Sequence, residues 1–317
     1  MPEQLSFKEQ RIRKLTHLYY SRKDVQEAIF KFSKDREICP RYFEGFGKRP
    51  DSFQYVGDVF ELVKKGATSF HCSEELWSDP LKISTGMKEE EVNQLRIGWD
   101  LLIDIDSKYI DYSKILAKIV IEMMNFHGIK NMGVKFSGSK GFHIIVPFKA
   151  FPQEINGVKT SNMFPHWPRI IARYIISQTK DKLISEITAL SKESKYIKDF
   201  QASKDVIPDI VLLSPRHLFR MPYSLHEKTA LSSIIISPEE IENFQLTDAD
   251  PLKLSEKKIR NFLPESKLGE AKELLIQALD WHKETSEDSK SDKSFEYKPI
   301  SLSNVSEKDF PPCIKNI

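Results

Sequence analysis

Apolar and polar positions are most sharply ordered between Trp99 and Phe148, WDLLIDIDSKYIDYSKILAKIVIEMMNFHGIKNMGVKFSGSKGFHIIVPF. An apolar run ends in two acids one residue apart, Asp104 and Asp106. Ile115, Leu116, Ile119, Val120, Met123 and Met124 then recur at helical spacing between Lys114 and Phe126, and Gly128 supplies a stop. Two short apolar runs follow, on either side of Ser-Gly-Ser-Lys-Gly-Phe-His at 137–143. The pattern predicts strand, helix, strand, tight turn, strand.

The rest of the chain is less regular. Residues 5–35 carry Leu, Tyr, Ile and Phe among charges and read as helical. Arg36 to Pro50 mixes prolines and glycines with aromatics, the composition of a strand and a loop. Tyr55 to Lys65 fits a strand or a helix equally well. After Phe148, Ala150 to Lys159 reads as loop. Phe164 to Ala189 reads as a helix, with Pro168 near its start and Ile170, Ile171, Tyr174, Ile175 and Ile176 on its apolar face. Val206 to Leu213 is β-rich, Ser232 to Ile236 reads as a strand, and Lys253 to His282 has helical composition. Thr285 to Ser294 is polar throughout and reads as a flexible linker. There is no internal repeat.

With 317 residues the chain can form one large domain or two ordinary ones. Its 40% hydrophobic and 30% charged residues place it among globular proteins. The balance of 48 basic and 46 acidic residues neither argues for nor excludes nucleic acid, because local patches decide that. No apolar run approaches the ~20 residues that span a bilayer, and the N-terminus lacks the apolar core of a signal peptide. Cys39, Cys72 and Cys313 are odd in number and far apart, which suggests a reducing, cytoplasmic setting without a disulfide framework. The His71-Cys72 pair reads as a buried cysteine beside a surface histidine.

Three stretches carry candidate chemistry. Residues i and i+2 of a strand share a face, so Asp104 and Asp106 bring two carboxylates together. Their repulsion calls for a cation, and magnesium suits such carboxylates together with substrate phosphate oxygens. A D-x-D alone is explained as well by a solvated strand end near Lys108. In the second stretch, Gly138 and Gly141 allow a tight turn and close approach of a ligand. Ser137 and Ser139 offer hydroxyls, Lys140 a charge and His143 a ring donor, while the backbone N–H groups can form an anion nest. The spacing differs from a Walker A loop, and a strand follows rather than a helix. In the third, PDIVLLSPRHLFRMPYSLHEKT, Asp209 opens an apolar run, and Arg216, His217, Arg220, His226 and Lys228 crowd behind it. Such a density of cations and rings suits a triphosphate, although each residue alone is explained by a solvated face.

Taken together and in order, D104-I-D106, S137-G-S-K-G-F-H143, and Asp209 followed by R220-M-P-Y-S-L-H-E-K-T229 resemble the motifs of the catalytic small subunit of archaeo-eukaryotic DNA primases. The resemblance extends from about Arg36, where R-E-I and R-Y-F match an N-terminal motif, to about Ser237. It implies an α/β catalytic domain over residues 1–284, with a mixed, antiparallel-rich sheet, flanking helices and a short helical insertion at about 151–200. It implies that Asp104, Asp106 and Asp209 hold two Mg²⁺ or Mn²⁺ ions. Ser137, Ser139, Lys140, His143, Arg220 and His226 would hold the incoming nucleotide, with Arg41 a further contact. The implied activity is template-directed synthesis of short RNA or DNA primers on single-stranded DNA. The partners are the template, an NTP or dNTP and the primer strand, with a large primase subunit or fused equivalent. The alternatives are a repair or translesion primase-polymerase that extends existing ends, and a non-catalytic module that binds nucleotides or single strands.

The chain departs from the family in lacking clustered cysteines after the D-x-D strand, so no zinc is expected there. At the other end, F310-P-P-C-I-K315 resembles the segment around the first cluster-ligating cysteine of the large subunit. The expectation is a linker at 285–300 and, at 301–317, the start of a large-subunit-like module. That module would bind an iron–sulfur cluster only with further cysteines.

Overall fold

The computed structural model describes residues 6–193, 214–254 and 259–288. Asp209, the run at 206–213 and the FPPCIK segment with Cys313 lie outside them.

The N-terminal region folds as helices α1 (Phe7–Tyr20) and α2 (Lys23–Phe32). Helix α1 starts in a capping box in which the Ser6 hydroxyl accepts the Glu9 N–H while the Glu9 carboxylate accepts the Ser6 N–H. Helix α2 buries Val25, Ile29 and Phe32, spaced to share one face. Strand β1 (Ile38–Arg41) follows, and then helix α3 (Asp58–Lys64), which settles the ambiguous segment as helical through its buried Val59 and Val63. Next come β2 (Ser69–Ser73), β3 (Glu75–Trp77), α4 (Glu89–Leu95), β4 (Arg96–Trp99) and β5 (Leu101–Ile105). Helix α5 (Ile110–Phe126) ends at Gly128, whose φ of +86° suits glycine. The predicted strand–turn–strand is β6 (Gly133–Phe136) and β7 (Phe142–Val146).

Beyond β7, the segment read as loop contains a two-stranded ribbon, β8 (Glu154–Ile155) with β9 (Val158–Lys159). The long helix is α6 (His166–Glu193), followed by β10 (Leu218–Arg220) and β11 (Ile235–Ile236). Helix α7 (Lys272–Asp288) starts later than the composition from Lys253 suggests. It also continues four residues into the segment read as linker, where the Thr285 hydroxyl bonds back to the Trp281 carbonyl.

The strands make a three-stranded sheet, β1-β2-β10, and a four-stranded one, β11-β6-β7-β5. Every strand pair among the described residues is antiparallel. The first sheet meets the N-terminal helices through ring contacts of Tyr20 with Phe70 and of Phe32 with Phe219. On the second sheet lies α5, against which α6 packs, with α7 outermost. No helix of the described residues is long and apolar enough to cross a membrane.

Buried charges pair around the β2–β3 junction. Arg36 and Asp100 form an ion pair, and Arg36 also donates to the carbonyls of Phe32 and Ser73. Glu37 accepts from Arg49 and Arg216, and Glu75 from Arg96. Glu74 meets His217 Nδ1 at 3.1 Å.

Candidate active site

The site is assembled where the end of β5 meets the turn between β6 and β7. Asp104 lies within β5 and is 18% exposed in its side chain, while Asp106 stands just past the strand end in solvent. Register pairs Asp104 with His143, and His143 in turn with Lys135, so three chemically active side chains cross the sheet in one row. His143 Nε2 stands 3.4 Å from Asp104 Oδ1. Burial, with Lys135 and Arg220 nearby, holds the His143 pKa well below the usual imidazole value, and its Nδ1 is buried without a partner. The neutral ring faces an expected metal ligand, on the inside of the sheet rather than on the open turn.

The turn reaches the acid strand because position 141 has no side chain. A Cβ there would sit 2.1 Å from the Ile105 carbonyl oxygen and 3.2 Å from the Asp106 Cα. The turn closes on itself, Ser137 donating its N–H to the Gly141 carbonyl at 2.9 Å, and Gly141 donating to the Ser137 hydroxyl at 3.2 Å. Gly138, at φ +103°, lies so close to the third motif that a Cβ would come within 2.9 Å of the His226 Cβ. Thr229 donates its hydroxyl to the Gly138 carbonyl at 2.6 Å. Ser137 and Ser139 are half-buried, and Lys140 is exposed.

His226 accepts the N–H groups of Lys228 and Thr229 on Nδ1, which leaves Nε2 to carry the proton and donate. Burial, then the nearby Arg220, lowers its pKa to about 4. Arg220, 9% exposed in its side chain, donates to the Leu225 carbonyl and to Glu227 at 2.8 and 2.7 Å. Arg41 Nε lies 3.9 Å from the other Glu227 oxygen. Burial opposes ionisation of Glu227, but the Arg220 charge outweighs it and the pKa lies below the usual carboxylate range.

The basic cluster after Asp209 therefore divides. Arg220 and His226 join the turn, whereas Arg216 is held by Glu37 and Glu75, and His217 by Glu74. Two groups at the site escape the motif reading. Lys135 is fully buried, with its Nζ on the Ser233 hydroxyl at 2.7 Å and between the rings of Phe219 and Phe262. Burial drives its pKa well down, and Arg220 adds to the effect. Its strand has neighbours on both sides, which nothing in the sequence around Val134 and Phe136 announces. The other is His71, which is buried rather than at the surface.

Asp104 and Asp106 supply hard oxygen donors, which fit Mg²⁺ or Mn²⁺. Among the described residues no three His, Cys, Asp or Glu gather as a metal-binding group, and Asp209 lies outside them.

The DNA primase small subunit family matches residues 103–238, the span that holds the acid strand, the turn and the Arg220–Thr229 segment. Over that span the chain is similar to the primase small subunits. An uncharacterized protein of Methanocaldococcus jannaschii is 34% identical over 106 residues, 33% of this chain and 23% of that protein. The match thus spans about a quarter of that relative. The DNA primase small subunit PriS of Pyrobaculum islandicum is 25% identical over 240 residues, 65% of this chain and 72% of PriS. PriS of Pyrobaculum aerophilum is 27% identical over 238 residues, with the same coverage. Among solved structures, the polymerase domain of Mycobacterium tuberculosis Ligase D in complex with DNA matches with a TM-score of 0.51. It covers 78% of this chain and 90% of that one at 14% identity, a likeness of fold alone.

Proposed function

We propose that this chain performs template-directed nucleotidyl transfer on single-stranded DNA, making short primers. The observation that carries the reading is the backbone contact of Gly141 with the end of the acid strand. It brings a turn that offers hydroxyls and a lysine close to two carboxylates, which supports an anion-binding role for the turn. A site for phosphoryl chemistry needs these two parts adjacent, one to bind the phosphates and the other to hold their counter-ions.

Asp104 and Asp106, together with Asp209, would hold Mg²⁺ or Mn²⁺, which supplies charge compensation and Lewis acidity at the reacting phosphate. The remaining work belongs to the chain itself. Ser137, Ser139 and Lys140 offer hydroxyls and a charge at the turn, and His226 offers Nε2–H beside them. Arg220 is pinned by Glu227 and the Leu225 carbonyl, so it presents a fixed guanidinium rather than a searching one. The neutral His143 orients the Asp104 carboxylate, so its role is positioning.

Extension of existing ends is the second reading, favoured by the likeness of fold to the Ligase D polymerase domain. One assay separates the two: labelled NTPs or dNTPs with Mg²⁺ or Mn²⁺, on unprimed and on primed single-stranded DNA. Products on the unprimed template are expected, and products on the primed template alone would favour extension. Arg220→Ala should raise the nucleotide KM by the equivalent of about 1.5–3 kcal/mol, the worth of a charge-assisted hydrogen bond, with template affinity held. A fall in template affinity with unchanged KM would remove Arg220 from the nucleotide site.

A further inference from the structure

We infer that His71 is an additional phosphate-binding residue of the nucleotide site, its imidazole donating a hydrogen bond to the nucleotide's phosphate chain. The inference rests on the nucleotide site proposed above and adds a residue that no motif marks.

His71 is the middle residue of β2, where its register partners are Cys39 on β1 and Arg220 on β10. Strand alternation divides its neighbours. Phe70 turns towards Tyr20 and Phe53 in the core, and His71 points the opposite way. Directly opposed residues of antiparallel strands share a face, so His71 lies on the face of Arg220. Its ring meets the edge of Phe46 at 5.0 Å, and the Arg41 guanidinium lies 4.9 Å from the same Phe46 ring. His71 thus sits between two arginines already counted among the nucleotide contacts.

Its chemistry is not that of a core filler. The residue is 6% exposed, and its Nδ1 is buried with no hydrogen-bond partner. A leucine or phenylalanine would fill the same space without leaving a polar atom unsatisfied. The surroundings say what is missing. Arg220, Arg41, Lys135 and His226 all bear on the ring electrostatically. Glu227 answers Arg220 and Arg41, and Asp104 lies on the side of Lys135. Burial first, and Arg220, Arg41, Lys135 and His226 after it, hold the imidazole pKa well below its ordinary value. A further cation in this cluster would repel the others. A neutral ring adds a donor without adding charge, and beside Arg220 and Arg41 such a donor suits an anionic oxygen.

The test compares wild type, His71→Leu and His71→Asn. Asparagine keeps an N–H near the position of Nδ1, and leucine keeps only volume. Calorimetric titration with inorganic tripolyphosphate, and with a non-hydrolysable nucleoside triphosphate, gives affinities without turnover. Single-nucleotide incorporation gives KM and kcat. His71→Leu should weaken both ligands and raise KM about tenfold, equivalent to about 1.4 kcal/mol. Affinity for single-stranded DNA should hold, kcat should stay within about twofold, and His71→Asn should recover most of the loss. Thermal melting checks the fold, and His71→Phe replaces the leucine variant if leucine does not fold. Tripolyphosphate affinity unchanged in the apolar variant would overturn the assignment, and so would an asparagine variant as weak as the apolar one. Wild-type protein that bound neither ligand would overturn the nucleotide site as well, whereas wild-type binding with an indifferent His71 overturns this inference alone.

Discussion

The charges around β3 and those around the Ser137–Gly141 turn are handled in opposite ways. Near β3, Arg36 meets Asp100, Glu37 meets two arginines, and Glu75 meets Arg96. Guanidinium forks are matched to carboxylates, and backbone carbonyls take up further donors. Near the turn the balance is left open. His71 and His143 each bury an Nδ1 without a partner, and Lys135 is enclosed where its charge is disfavoured. Buried charges that are matched at home hold a fold together, whereas the open balance beside the acids is where the proposed ligand would complete the set. Basic residues close in sequence fall on both sides of this divide, which composition alone could not separate.

Breaking a completed pair should cost the most. Arg36→Met leaves the Asp100 carboxylate buried without its counter-ion, and the expected loss is about 3–5 kcal/mol of stability. Urea unfolding would show it as a lower midpoint at unchanged slope, and a loss below about 1 kcal/mol would contradict the account of this region. The opposite behaviour is expected at the turn end. Asp104→Ala should reduce nucleotide incorporation by at least about 10²–10³-fold, the range for removing one electrostatic contributor to a transition state. The melting temperature should barely move, because the β5–β7 ladder and the apolar residues of β5, not this partly exposed carboxylate, hold the strand in place. Steady-state incorporation beside a thermal melt decides it, and near-wild-type turnover would remove Asp104 from the chemistry.

Glu74 sharpens the comparison because it lies between the two kinds of behaviour. One oxygen meets His217, while the other is buried without a partner, and burial raises its pKa to about 7. The folded state therefore holds a proton more tightly than the unfolded chain, whose carboxyl titrates near 4.5. Stability should fall as pH rises between about 4.5 and 7 and level off above that. Glu74→Gln should flatten this slope and make the protein more stable than wild type at pH 8, by on the order of 1–3 kcal/mol. Urea midpoints across pH 4.5–8 check the sign, and parallel wild-type and variant curves would refute it.

The sequence displayed the second sheet and its helix almost in full. Leu101 to Val146 alternates by strand and by helix without a break, and each element forms where the pattern puts it. The first sheet was less legible, because SFHCS in β2 alternates polar and apolar residues as a half-exposed strand would, yet is buried on both faces. The same burial hid His71, which read as a surface residue beside a core cysteine. Lys135 was hidden by its type, since nothing local says that a lysine between valine and phenylalanine has strands on either side. The diversion of Arg216 and His217 to Glu37 and Glu74 depends on partners 179 and 143 residues away, beyond the reach of any local pattern.

The approach of Gly141 to the Ile105 carbonyl makes the site a ruler cut in backbone. The gap between acid and turn is set by peptide atoms in contact, with no rotamer intervening. Thermal motion of side chains therefore cannot change it, and no substitution at position 141 can lengthen it by a small step, because even a single methyl group would push the two strand ends apart. On the proposed reading, tuning for one nucleotide over another would come from Arg41, Lys140 and His226, where side chains can change length without moving the scale.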